Sequence, residues 1–172
     1  MSMAHYRIRE ANFRQSEISQ MNELLLRLVG HMRWADTQFA DALDASPPAD
    51  ANALRLFGHV ASVEHLWYAR ILGQAHQYPI WPSFDVSQAR AIAAEHANLF
   101  EQLVASADDD ALARLVAYRN SAGRDYRSPV GEIVTHVAMH GMHHRGQIAR
   151  LLREAGREPP YTDYIQYSRR DQ

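Results

Sequence analysis

The stretch that decides the fold is His136-Val137-Ala138-Met139-His140-Gly141-Met142-His143-His144-Arg145-Gly146-Gln147, which holds four of the ten histidines in the 172-residue chain. On a helical wheel of about 100° per residue, these four histidines fall within an arc of roughly 100°. Apolar residues in and around the stretch mark one face of the same helix, and His140 and His144 lie nearest the centre of that face. The stretch therefore predicts a long amphipathic helix with two imidazoles, one turn apart, aimed inward.

Two interpretations of these histidines compete. A single histidine on an apolar face is usually a core residue whose ring nitrogens are hydrogen-bonded within the protein. Several close together would repel one another if protonated, and each neutral ring brings a donor that needs a partner. A transition metal removes both difficulties, because it takes one nitrogen of each neutral ring. We therefore favour a metal site, which needs a third ligand from elsewhere in the chain.

The composition limits the class of protein. The length and the 47% hydrophobic content fit one globular domain over residues 1–172, and the formal net charge of −2 gives no reason to expect nucleic acid or a membrane as partner. The chain has no cysteine, which excludes disulfides, thiolate zinc sites and a thiol nucleophile. The first residues lack the apolar core of a signal peptide, and no apolar run could span a bilayer. We therefore expect a soluble cytoplasmic protein.

Three further helices are predicted ahead of the histidine-rich one. Residues 1–17 lack a sustained period, and we interpret them as an N-terminal arm. Three later segments share three- and four-residue apolar steps and end at prolines, a glycine or acidic residues. They run from Ile18 to the break at Ser46-Pro47-Pro48, from Asn52 or Leu54 to Leu72 with Gly73 as cap, and from Asp85 or Ser87 to the acidic tract Asp108-Asp109-Asp110.

A small β-hairpin is predicted before the last long helix. Residues 115–119 and 125–127 flank a turn that contains Gly123. Ser128 followed by Pro129 predicts a side-chain cap and a helix start, and the helix should continue through Leu152. A short aromatic tail of one or two helical turns follows. The predicted fold is all-α, a four-helix bundle with a small β-hairpin or extended insertion before its last long helix.

The third ligand should come from another helix that faces the same layer of the bundle. His31, His59, His65 and His96 are the candidates by position. His59 lies on the apolar face of the second helix, whereas His65, next to Glu64, is interpreted as part of a solvated pair. Helical spacing excludes neither His31 nor His96. Because the sequence lacks H-E-x-x-H and the Glu-x-x-His pairs of di-iron bundles, a mononuclear site built only from histidines remains.

The chain resembles the DinB family of four-helix bundles from about Met21 onward. The resemblance rests on Trp34-Ala35-Asp36, on Gly58-His59 with Trp67 eight residues later, on the block from His136 to Gln147, and on Pro159-Pro160-x-Thr162-Asp163-Tyr164. It implies a divalent metal held by three histidines, with nickel or zinc as first candidates and iron or manganese after them. Carried over by position, the ligands are His59, His140 and His144.

The resemblance also implies a class of chemistry. Three imidazoles leave coordination positions open to water or substrate, as in catalytic metal sites. We expect a metal-dependent hydrolase, or a transferase that uses a low-molecular-weight thiol, acting on a small-molecule substrate. The alternative is a non-catalytic stress-related or interaction protein whose metal is structural. We further expect a homodimer.

The surroundings of the metal site are predicted less directly. Metal-bound histidines usually donate their second N–H to a carboxylate or carbonyl. Glu64, Glu132 and Asp163 could accept it, although we expect these carboxylates to form surface salt bridges instead. We expect His143 to line the cavity without binding the metal, or to face solvent or a second subunit, and we expect Arg145 to face solvent or a partner.

Overall fold

The computed structural model describes residues 3–45 and 50–170, with side-chain surroundings described from Gln20 onward. Its helices and strands, in chain order, are α1 (Met3–Asp44), α2 (Ala51–Ile71), α3 (Val86–Ser106), α4 (Asp109–Ala113), β1 (Leu115–Arg119), β2 (Asp125–Pro129), α5 (Val130–Glu154) and α6 (Tyr164–Ser168). No helix among these residues combines the length and apolar character of a membrane span.

The four long helices form the predicted bundle. Helices α1 and α2 each pack against both α3 and α5, so that α1 and α2 lie on opposite sides of the molecule's long axis. The interior consists of two apolar clusters, one at each end of the bundle. The first includes Val29, Phe100 and Val137, and the second includes Phe39 and Phe57. The all-α fold with a small hairpin is thereby confirmed.

A buried polar layer separates the two apolar clusters. On α1, Asp36 lies between residues of the first and second clusters, as does Glu64 on α2 and Arg145 on α5. All three side chains are buried. Burying charged groups is costly unless they are paired with one another. The middle of the bundle is therefore held by electrostatic pairing as well as by apolar packing.

Helix α1 begins much earlier than its apolar pattern does. We predicted an arm over residues 1–17 and a helix from Ile18, but the helix begins at Met3. No glycine or proline occurs between residues 3 and 17, so nothing in this segment ends the helix once it has formed. The predicted break at Ser46-Pro47-Pro48 lies outside the described residues, just beyond the end of α1.

The acidic tract begins a helix rather than ending one. We predicted that the third helix would run into Asp108-Asp109-Asp110, but α3 stops at Ser106 and the short helix α4 starts at Asp109. The Asp108 side chain caps α4 by accepting from the Ala111 N–H at 2.8 Å. Aspartates are favoured at this end of a helix, because they satisfy its first N–H groups and its positive dipole end.

The hairpin forms as predicted, but its exit differs. Strands β1 and β2 pair antiparallel, with Tyr118 opposite Tyr126, and Gly123 in the turn has a φ of 77°. Helix α5 follows directly, yet the predicted Ser128 cap is absent, since Pro129 holds the cap position without a side-chain hydrogen bond. Instead the Ser128 hydroxyl lies 3.2 Å from the Tyr118 hydroxyl across the hairpin.

Candidate metal centre

Three histidines from two helices converge on one point. His59 projects from the middle of α2, and His140 and His144 project from successive turns of α5. One ring nitrogen of each lies within 4.8 Å of the others, and within the described residues this is the group able to hold a metal ion. The packing of α2 against α5 therefore brings together the three histidines that the family resemblance implied as ligands, in a group that could hold a metal ion.

The ring of His59 is fixed by the connection between α2 and α3. Its Nδ1–H donates to the carbonyl of Ile80 at 2.8 Å, which leaves Nε2 as the nitrogen with a lone pair. Trp81 stacks on the same ring, with centroids 3.9 Å apart and planes within 10°. Burial lowers the pKa of His59, which keeps the ring neutral and able to bind a metal.

The ring of His144 is fixed from within α5. Its Nδ1 lies 2.8 Å from Oε1 of Gln147, an acceptor, so the proton resides on Nδ1 and the Nε2 lone pair is exposed to the cluster. The Gln147 amide group in turn donates to Nε2 of His143 at 3.2 Å. Helical spacings of three and four residues place these side chains on one face. One glutamine thus orients two histidines.

His140 and His144 present an arrangement that suits a cation. Their Nε2 atoms lie 3.1 Å apart, close to the roughly 3.4 Å expected of two nitrogens bound to one tetrahedral zinc ion. Burial, followed by the neighbouring histidine charges, lowers the pKa of His140 to about 3, so the ring is neutral at pH 7. Without a metal, the Nε2–H of His140 donates to the Nε2 lone pair of His144; with the His140 proton on Nδ1 instead, the Nε2 lone pairs of both rings are available to one cation. The donor set therefore fits a divalent metal with histidine ligands.

The family comparison agrees with this geometry. The model of the DinB family matches residues 21–172, nearly the whole of the chain. The chain belongs to the DinB family. A search of curated proteins found no match to it. The DinB match covers all three histidines of the cluster and begins where the apolar period of α1 becomes regular.

Two other histidine candidates of this DinB chain pair with each other instead. His65 donates from Nδ1 to Nε2 of His96 at 3.0 Å, and His96 donates from Nδ1 to the Ile92 carbonyl at 2.8 Å. The remaining nitrogen, Nε2 of His65, accepts from the Gln77 N–H at 2.9 Å. All four ring nitrogens are engaged, so neither histidine offers a lone pair to a metal. The predicted solvated pair of His65 with Glu64 is wrong, because both side chains are buried.

The fourth candidate, His31, holds the C-terminal segment. Its Nε2 lies 2.7 Å from the carbonyl of Thr162, to which it donates. The ring also packs edge-on against Tyr164 and Tyr167, with centroids 5.5 and 5.7 Å away. His31 therefore stabilises the docking of α6 on α1. It contributes no nitrogen to the histidine cluster.

Arg145 lies inside the bundle, contrary to the predicted solvent-facing position. Its side chain is 2% exposed, and Nη1 donates to Oδ1 of Asp36 at 2.7 Å. Glu64 completes the buried cluster, and burial followed by the Asp36 charge raises the pKa of Glu64 well above its ordinary value. Burial raises the pKa of Asp36 as well, so the two neighbouring acids favour holding one proton between them, which leaves one negative charge opposite Arg145. The wheel misplaced Arg145 because it considered only the histidine face, whereas α5 also faces α1.

Glu64, Glu132 and Asp163, which we named as possible acceptors but expected in surface salt bridges, are not the partners of His59 and His144. The carbonyl of Ile80 and the amide of Gln147 take that role for His59 and His144. Gln147 could have been found from its spacing, since it lies three residues beyond His144 on the same helix. Ile80 could not, because a backbone carbonyl is present at every residue and its direction depends on the folded chain.

Proposed function

We propose that this protein is a metal-dependent enzyme, either a hydrolase or a transferase that uses a low-molecular-weight thiol. Its divalent ion, nickel or zinc in preference to iron or manganese, is held by His59, His140 and His144. The observation that carries the proposal is the convergence of three buried or half-buried imidazoles, two of which are oriented through their second nitrogen. Metal ligands held in this way are typical of functional metal sites.

The chain itself supplies three ligands and a fixed geometry. A divalent ion with three histidine ligands supplies a coordination position at which a water molecule or a thiol loses its proton near neutral pH. Ile80 and Gln147 hold the imidazoles in the tautomer with the lone pair inward, and Trp81 covers one face of His59. Because the chain contains no cysteine, any thiol must come from a bound small molecule.

A structural role for the metal is the second candidate function. The three histidines come from α2 and α5, which are separated in sequence by α3, α4 and the hairpin. An ion at this point would tie the two helices together whether or not it takes part in a reaction. In that case the protein is a stress-related or interaction protein, and removal of the ion should lower its thermal stability markedly.

The first experiment is the metal content of untagged protein, measured by plasma mass spectrometry. We expect about one nickel, zinc or iron ion per chain, lost in His59→Ala and in His144→Ala. His143→Ala is the matched control, because His143 lies on the same helix but outside the converging group, and it should keep the ion. Protein without metal after incubation with divalent ions, or variants that retain it, would contradict the three-histidine site.

A second measurement separates the two functions. Metal-loaded protein should convert some member of a panel of esters, amides and thiol acceptors, and the same protein after chelation should not. If the metal-free protein melts at the same temperature as the loaded protein, the structural role is contradicted. If the melting temperature falls and no substrate of the panel reacts, the structural role is favoured over catalysis.

A homodimer in the cytoplasm is also proposed. Met139 and Met142 are exposed on the outer face of α5, and exposed apolar side chains on a bundle helix are consistent with a helix–helix interface. Sedimentation velocity should show a dimer of the 19.6-kDa chain. A monomer at all concentrations would contradict the homodimer.

A further inference from the structure

A pocket of about 310 Å³ lies between α2 and the β-hairpin, close to the histidine cluster. Trp67 and Arg70 of α2 form one wall, and Tyr118 and Tyr126 of the hairpin form the other. Ile80, whose carbonyl fixes His59, also lines it. The hairpin contributes no histidine to the cluster. It forms the outer wall of a pocket near that cluster.

The charged group of the pocket is Arg70. Its guanidinium lies over the ring of Trp67 at 4.5 Å and over the ring of Tyr118 at 4.9 Å. Such stacking uses the faces of the guanidinium and leaves its edge donors available. Nη2 donates to the Arg119 carbonyl at 3.0 Å, and Arg70 forms no salt bridge with any carboxylate of the described residues. The remaining edge of the guanidinium can therefore bind a ligand in the pocket.

The lining has the polarity that an anion requires. Among the described residues that form the pocket, Arg70 is the sole charged side chain, and Asn120 and Ser121 at the rim add donors. Half-burial of Arg70 weakens its hydration and strengthens its attraction for a negative group. One cation matches a single carboxylate better than a phosphate, whose second charge would lack a partner.

The pocket also lies at a useful distance from the metal ligands. Arg70 follows His59 by eleven residues on α2, which is about three turns on the same face and about 16 Å along the axis. The arginine side chain leans back toward Trp67, which shortens this distance. The ring of Trp67 contacts His136, and His136 contacts His140, with centroids 5.3 and 5.7 Å apart. None of the three cluster histidines lines the pocket, but His136 is exposed and Trp67 half-buried, so an elongated small molecule that lies along these two rings would reach both places.

We propose that Arg70 and its aromatic neighbours bind a carboxylate at the far end of the substrate, while the reacting group of the substrate lies at the three histidines. The inference rests on the proposed metal chemistry and narrows it to elongated, carboxylate-bearing small molecules. Arg70 acts here as a specificity-determining residue. The competing explanation is that Arg70 only joins the hairpin to α2 through the Arg119 carbonyl.

The test compares two thiols of equal length that differ in the charge of their far end. The probes are 6-mercaptohexanoate and 6-mercaptohexanol, whose thiol binds a zinc or nickel ion in either case. Calorimetry on the metal-loaded protein should show the carboxylate probe binding about tenfold tighter or more. Arg70→Gln should abolish this preference, and Arg70→Lys, which keeps the charge but loses the flat edge, should keep only part of it.

Arg119→Gln is the matched control. It removes one positive charge from the neighbouring hairpin but keeps the backbone carbonyl that Arg70 contacts. The preference of this variant for the carboxylate probe should equal that of the wild type. Equal binding of both thiols to the wild type would overturn this proposal alone and leave the metal chemistry standing. A preference that persists in Arg70→Gln, or that falls equally in Arg119→Gln, would also overturn it. If neither thiol binds the loaded protein, this proposal fails, whereas the three-histidine site itself fails only if the protein also holds no metal or keeps it in the His59→Ala and His144→Ala variants.

Discussion

At the scale of single residues, Gln147 links two histidines of α5. Its Oε1 accepts from His144, and its amide group donates to His143. Because this hydrogen bond leaves Nε2 of His144 as the nitrogen with the lone pair, we expect the glutamine to control a candidate metal ligand without binding the metal itself. The effect of its removal should therefore appear in metal affinity and not in the fold.

Gln147→Leu should weaken metal affinity about 10- to 100-fold, the usual cost of losing the partner of a ligand histidine. Competition against a chelator of known affinity measures it. Gln147→Glu keeps an acceptor for His144 and should lose much less. A Leu variant with wild-type affinity, or a Glu variant as weak as Leu, would show that the hydrogen bond does not orient the ligand.

The buried cluster of Asp36, Glu64 and Arg145 makes a second residue-scale prediction. Glu64→Gln should cost less than about 1 kcal/mol of unfolding free energy, because the amide donates where the protonated acid does. In Asp36→Asn, Glu64 can ionise and become the partner of Arg145. The double variant Asp36→Asn, Glu64→Gln leaves the Arg145 guanidinium buried without an anion. Its unfolding free energy should fall by on the order of 3–5 kcal/mol. Urea unfolding measures each value, and a single Glu64→Gln as costly as the double variant would mean that Glu64 is ionised.

The sequence could supply the faces of these residues but not all of their partners. The wheel placed His140 and His144 inward, and that orientation is confirmed. It excluded neither His31 nor His96 beside His59, because all three lie near apolar faces, and it wrongly assigned His65 to solvent. Their partners are carbonyls and other histidines brought close by tertiary packing, which periodicity does not report.

At the scale of elements, two of the three glycines of α5, Gly141 and Gly146, have very different surroundings. A Cβ at Gly141 would lie 2.7 Å from Nη1 of Arg145, the atom that bonds Asp36, whereas a Cβ at Gly146 would meet nothing within 4 Å. Alanine substitutions at these two positions therefore separate two effects on stability, the helix propensity of alanine and the displacement of the buried Asp36–Arg145 ion pair.

Gly146→Ala should stabilise the protein by about 0.5–1 kcal/mol, since alanine favours the helix. Gly141→Ala gains the same preference but displaces the Arg145 guanidinium from Asp36, and we expect it to be net destabilising. Thermal and urea unfolding of the two variants give the comparison. If both variants are stabilised alike, the Arg145 position adapts without loss and the steric argument is wrong.

Element boundaries were predictable where side chains or glycines mark them. Gly73, with a φ of 67°, ends α2 as expected, and Gly123 marks the hairpin turn. The acidic tract at residues 108–110 was misassigned because aspartates that look like an end of α3 serve as the start of α4. The start of α1 was missed because residues 3–17 lack a regular apolar period. The absence of such a period means that the helix has no apolar face to pack there, but the helix itself can continue.

At the scale of the whole molecule, the histidines make the stability of the metal-free protein depend on pH. Burial is the main cause that lowers the pKa of His31, His59, His65 and His140 in the folded chain. In the unfolded chain these groups titrate near 6.5. Between the folded and unfolded pKa values the unfolded state binds more protons, so stability rises with pH in that window.

We therefore expect full histidine-dependent stability above about pH 7 and progressive loss as the pH falls through 6.5, with the His140 contribution lost down to about pH 3. Urea unfolding of metal-free protein at several pH values measures it, and His140→Gln should flatten the profile. Glu64 contributes to the pH dependence of stability with the opposite sign. Because its pKa is raised in the folded chain, its contribution is present below its ordinary pKa of 4.5 and is lost as the pH rises through the folded pKa. A profile without loss below pH 6 would contradict the neutral, buried histidines.

The connection between α2 and α3 has a consequence for sequence change. His59, Ser62 and His65, one on each successive turn of α2, bond the backbone of that connection at Ile80, Pro79 and Gln77. Most surface loops accept insertions and deletions. Here one added or deleted residue would shift the carbonyl of Ile80 away from His59 and release the ring of a candidate metal ligand without altering any histidine. We therefore expect the length of this loop to be as constrained as the identity of the three histidines.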